Sequence, residues 1–253
     1  MKYILILALS AASTTVSAQT ISRSSIAAAA QQLDDVMEIT DTVNLRNRIV
    51  TAEKLAAASS DMLARIRLGI LYHEAALNFN LLAKTGENGL AAKSYSLLDS
   101  LAEKTDTASA FLPFIVSYRA SALALMAGET GSLKQLGKAF DLFEIAVKQY
   151  SAVCAMPEFL RGSVAENLPK WMFRKHRFAR IDMTQLKLKY EADSSYATPK
   201  LMSFTYWAWA NQHQKAKYRE EALRCVDKAI ALDTTGKAGK PRAEALKAKL
   251  LKK

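Results

Sequence analysis

The chain has 253 residues, half of them hydrophobic and 23% charged, with 35 basic against 24 acidic side chains and a formal net charge of +11. That composition excludes an intrinsically disordered chain, which is too poor in apolar residues to offset the entropy of ordering. Nine glycines and five prolines are too few for the many tight turns of an all-β sandwich or barrel, so long helices are expected.

Residues 1–18, MKYILILALSAASTTVSA, have the form of a secretory signal. Lys2 is the basic start, Ile4 to Leu9 are the apolar core, and Val16-Ser17-Ala18 places small residues before a cleavage after Ala18. The apolar stretch is shorter than the roughly 20 residues a membrane span needs. No cysteine lies near the cleavage site to carry a lipid anchor, the first being Cys154. The expectation is an exported protein, periplasmic or secreted, without a transmembrane segment in its mature part. Its positive charge favours acidic partners, and export sets nucleic acid aside. In an oxidising compartment Cys154 and Cys225 could form a disulfide. Their spacing does not show that they meet, and two buried thiols are the simpler expectation.

From Ser22 onward, apolar residues recur at i, i+3, i+4 and i+7. The periodicity predicts helices at 22–39, 42–58, 60–83, 88–104, 108–127, 132–151, 156–168, 183–192, 198–213, 216–232 and 239–251. Asp41 is a candidate cap, 85–89 and 128–131 read as glycine-containing turns, and Pro157 and Pro199 suit first helical turns. The fold class is all-α.

Segments 94–104, 139–149 and 222–232 align. Small residues Ser94, Ala139 and Ala222 are followed by Leu98, Phe143 and Val226, then by Leu101, Ala146 and Ala229. The helices before them share an aromatic residue four positions ahead of Ala76, Ala122 or Ala210. On these residues, and most clearly over 206–233, the chain resembles the tetratricopeptide (TPR) repeats. Its units are about 45 residues long, against 34 for a TPR. The resemblance implies a right-handed stack of antiparallel helix pairs, a TPR-like α-solenoid, as a single domain over 19–253. Within it, 19–58 are N-terminal helices, 60–151 two helix-pair units, 152–196 a divergent unit with a basic connector, 197–233 a TPR-like unit and 238–253 a capping helix.

No catalytic constellation emerges. His73-Glu74 opens like a zinc-protease HExxH, but Leu77 stands at the second ligand position, so no metal site is assigned. Lys84-Thr85-Gly86 lacks the other elements of a serine β-lactamase, and Gly131 to Lys138 has the wrong spacing for a phosphate loop. No cofactor is expected. The segment 171–180 is more informative: Trp171, Arg174, Lys175, Arg177 and Arg180 interleave cations with aromatic rings, a chemistry that binds anionic groups and stacks on flat ones. It reads as a partner-binding connector. In a TPR-like stack, the first helix of each pair lines a groove, which would present His73, Leu77 and Asn80, then Arg119, Leu123 and Met126, then Trp207, Asn211 and Gln214. The expected function is that of an exported non-enzymatic scaffold binding an acidic envelope protein or peptide. The alternative is a periplasmic small-ligand or glycan-binding module, possibly associated with a transporter.

Overall fold

A computed structural model describes residues 21–39, 43–82, 89–234, 236 and 239–252. Among the described residues every regular element is helical. The helices are α1 (Arg23–Leu33), α2 (Leu45–Ala58), α3 (Met62–Ala76), α4 (Leu90–Lys104), α5 (Leu112–Thr130), α6 (Leu133–Tyr150), α7 (Met156–Glu166), α8 (Phe173–Ala192), α9 (Pro199–Gln212), α10 (Arg219–Leu232) and α11 (Lys240–Leu251). None is long and apolar enough to cross a membrane. The expected leader, Asp41 and the Lys84-Thr85-Gly86 turn lie outside the described residues.

Local chemistry accounts for the boundaries. Ser22, Asp61, Ser132 and Thr198 cap α1, α3, α6 and α9 by accepting a backbone N–H from the first turn. Pro113, Pro157 and Pro199 sit where a helix needs no donor. Gly131 ends α5 at φ 68°, a left-handed position that suits glycine.

Two expected boundaries are corrected. The first helix stops at Leu33 rather than continuing to residue 39, and Glu38 adopts φ 49°. Arg67 explains the break: its guanidinium holds the Asp35 carboxylate through two hydrogen bonds of 2.8 and 2.7 Å, turning the chain onto α3. The basic connector is not a connector. Residues 173–182 form the first half of α8, which starts ten residues before the expected 183. Arg, Lys and Ala are good helix formers, and Ala179, Met183 and Leu186 provide a narrow buried stripe that the dense charge conceals.

Each helix from α2 to α11 packs on its sequence neighbour, apart from the residue-by-residue detail of the turns. A second set of contacts joins alternate helices: α3 touches α5, α5 touches α7 and α7 touches α9. The backbones of α4, α6, α8 and α10 approach one another less closely, and α8 meets α6 and α10 through side chains. Close approach within the pairs depends on small residues. A Cβ on Gly162 would lie 2.6 Å from Met183 Cε, and Ser94 Oγ donates to the Gly69 carbonyl at 2.7 Å. All the aligned positions, from Ser94 to Ala229, are buried, as are Ala76, Ala122 and Ala210.

α1 belongs to no pair and crosses the row of alternate helices. Near its start, Arg23 binds Asp193 at 2.7 Å and the Ala152 carbonyl at 3.3 Å, ahead of α9 and α7. Just beyond its end, Asp35 is held by Arg67 of α3. Ile26, Ala29 and Leu33 share the main core with Phe114, Phe159, Leu201 and Met202. Cys154 and Cys225 are both free and buried, and burial pushes each thiol up to about 12.

Candidate functional site

The site begins with the two sides of α8. Its inward charges are paired. Arg161 of α7 grips Asp182 with hydrogen bonds of 2.8 and 2.7 Å, and burial still raises that carboxyl to about 6. Lys187 contacts Glu221 at 2.7 Å and Glu191 at 3.1 Å, and Lys189 reaches Glu158 at 2.8 Å. Glu191 also receives Lys228 at 2.6 Å.

The outward side has the opposite character. Arg174, Arg177 and Arg180 are exposed and make no ion pair with a described residue. Phe173 is 70% exposed and Trp171, in the turn just before the helix, 69% exposed. Helical periodicity adds two residues that inspection of segment 171–180 alone missed, Ile181 and Leu188, both exposed. The seven-residue spacing 174, 181, 188 was the available signal. α8 has only two acidic residues, Asp182 and Glu191, and both are engaged in the pairs above. Lys175 leaves this surface: its ammonium lies 4.5 Å from the Phe140 ring centroid.

The expected groove residues do not converge. His73 is buried among α3 and α5, so it presents nothing to a partner. Leu123 is also buried. Arg119 pairs with Asp99 of α4 at 3.3 Å. Trp207 is half-buried against Phe204 and lies under the Arg242 guanidinium of α11, 5.1 Å from its ring centroid. Asn211 donates to Glu166 of α7 at 2.9 Å and accepts from Gln214 at 3.0 Å, forming a partly exposed polar end to α7 and α9. The Asn80 side chain lies outside the described ones.

His73 instead joins a buried polar cluster. One ring nitrogen is 2.7 Å from Ser121 Oγ and the other 3.1 Å from Glu74 Oε1. Glu74 Oε2 accepts the Ile39 N–H at 3.0 Å, and Asn78 donates to the Ile39 and Glu74 carbonyls. Withdrawal from water, followed by the neighbouring Glu74, pushes Glu38 up to about 8 against the pull of Lys200. A serine, an imidazole and a carboxylate in line have the order of a nucleophilic triad. Here all three are buried, and neither described cavity reaches them. Their geometry serves to stitch residues 38–39, α3 and α5 together.

The better enclosed of the two described cavities lies under α1. It holds about 360 Å³ and is lined by Ile26, Ala30, Met37, Phe114, Met156 and Leu201, with Arg23 and Ser195 also on its wall. This cavity lies at the starts of α7 and α9, and neither segment 171–180 nor Trp207 lines it. Comparison with protein-family models, with curated proteins and with solved structures finds no match for this chain.

Proposed function

We propose that the chain is an exported, non-enzymatic helical-repeat protein that binds a protein or peptide partner in the cell envelope. The observation that carries this reading is the row α3, α5, α7 and α9, in which the backbones of successive helices approach closely, while α8 meets α6 and α10 through side chains such as Lys175 on Phe140 and Lys187 with Glu221. A right-handed stack of TPR-like pairs would have such a row, and burial of the aligned small and aliphatic positions supports the same register. α1 supports it further, because it lies across the row in the manner of a bound helical peptide. The partner would sit beside α1 toward the polar end formed by Asn211, Gln214 and Glu166. The net charge of +11 favours an acidic one.

A photo-cross-linker at Gln214, with a control at the exposed Leu133 on α6, tests the reading in envelope extract. One acidic protein captured from Gln214, not from Leu133, and lost on Asn211→Glu is the expected result. Capture from neither position removes the proposal. The second reading, a small-ligand module, rests on the cavity under α1, whose volume falls in the range of ligand pockets. It predicts that an apolar metabolite raises the melting temperature and protects α1 from proteolysis.

A further inference from the structure

We propose that the outward face of α8, with Trp171, docks the protein on an anionic lipid bilayer. This surface is separate from the row α3–α9 and does not depend on the reading given for it.

The face combines two components, large apolar side chains left in water and a cluster of cations without an ion pair to a described residue. Trp171, Phe173, Ile181 and Leu188 are 69, 70, 44 and 52% exposed. Arg174, Arg177 and Arg180 stand among them with no ion pair to a described carboxylate, while both acids of α8 are committed to basic partners elsewhere. The first turn also lacks any acidic residue and has no side-chain cap, so the cations add to the positive end of the helix dipole. A sequence selected for stability alone would place Asp or Glu there; a surface selected to meet negative charge would look as this one does.

Shape decides between a peptide and a membrane. A peptide is held in a groove or along a sheet edge. Here none of Trp171, Phe173, Arg174, Arg177, Arg180, Ile181 and Leu188 lines a described cavity. They form a ridge on one helix, about 22 Å from Phe173 to Leu188 at the helical rise. A ridge with apolar side chains between arginines matches a plane in which rings enter the headgroup region and guanidinium groups stay with phosphates. Tryptophan favours that interface, and arginine forms paired hydrogen bonds to phosphate. The apolar face is interrupted by charge and the helix is packed on α7 and α9, so the mode is surface docking rather than insertion.

The test uses the purified protein with vesicles of phosphatidylglycerol and phosphatidylcholine in equal parts, and with vesicles of phosphatidylcholine alone. The expected result is co-sedimentation with the anionic vesicles at least about tenfold tighter than with the neutral ones, weakening as salt is added. Tryptophan emission should shift to the blue on binding, and the shift should disappear in Trp171→Ala, with Trp207 and Trp209 as unchanged background. Arg174→Gln/Arg177→Gln/Arg180→Gln should weaken binding by roughly fivefold per charge, about a hundredfold in all. Circular dichroism shows whether each variant is folded, and the exposure of all four side chains makes folding the expected result. Equal affinity for both vesicle types, no sedimentation with either, or full binding by the folded triple variant would overturn the proposal. Tight binding of polyglutamate by a protein that ignores the vesicles would assign the face to an acidic peptide instead.

Discussion

The two sides of α8 have opposite character. Inward, Asp182, Lys187, Lys189 and Glu191 each meet an opposite charge on α7, α10 or α8 itself. Outward, three arginines meet none among the described residues, and they alternate with exposed apolar side chains. One helix thus separates charges that hold the fold from charges that the fold does not use. The contrast locates function better than composition does, because a net charge of +11 does not say which cations are already occupied.

The contrast breaks most sharply at Asp182. Asp182→Ala leaves the Arg161 guanidinium buried without its carboxylate, and should cost about 3–5 kcal/mol by urea denaturation. A loss no larger than that of an exposed pair would mean that the inward ion pair is not structural. Gly162→Ala probes the same contact sterically. The new Cβ would meet Met183 Cε at 2.6 Å and Asp182 Cβ at 3.1 Å, the first a flexible side-chain end, so about 1–2 kcal/mol is expected.

Titration separates the sides in another way. Glu38 and Asp182 both have folded values raised by burial, to about 8 and about 6. The folded state therefore holds protons that the unfolded chain has released, and stability falls as pH rises from about 4 toward 8. Glu38→Gln should flatten the upper part of that decline by about 1–2 kcal/mol, a figure reduced from the full shift because the residue is partly exposed. If the slope between pH 6 and 8 is unchanged by the variant, Glu38 is not its source. Changing Arg174, Arg177 and Arg180 together to Gln should move stability by less than about 0.5 kcal/mol, or raise it slightly by relieving repulsion. A large loss on thermal unfolding would show that these side chains serve the fold after all.

Much of the helical order was legible from periodicity alone. The aligned triads from Ser94 to Ala229 were identified by residue type and are all buried, because small and aliphatic residues at helical spacing have few other fates. Proline and glycine marked α5, α7 and α9 for the same local reasons. The start of α8 was hidden because its buried stripe is narrow and surrounded by arginine and lysine. The end of α1 was hidden because it depends on Arg67, a residue 32 positions from the Asp35 it holds. The groove residues fared worst. Nothing local to His73 indicates Ser121, which approaches it across 48 positions of chain. The exposed aromatic and basic face was half visible: Trp171, Arg174, Arg177 and Arg180 were identified, whereas Ile181 and Leu188 required knowing that the helix runs unbroken through them.

The two buried cysteines give the molecule a pair of internal clocks. Thiols held near 12 are almost wholly protonated at neutral pH, and only the thiolate reacts. A maleimide or disulfide reagent therefore reads how often each site opens rather than how fast the chemistry is. Cys154 lies between α6 and α7 on the wall beneath α1, and Cys225 lies inside α10. Labelling that reaches the first before the second would time the lifting of α1 separately from the loosening of the C-terminal pair, in the unmodified chain.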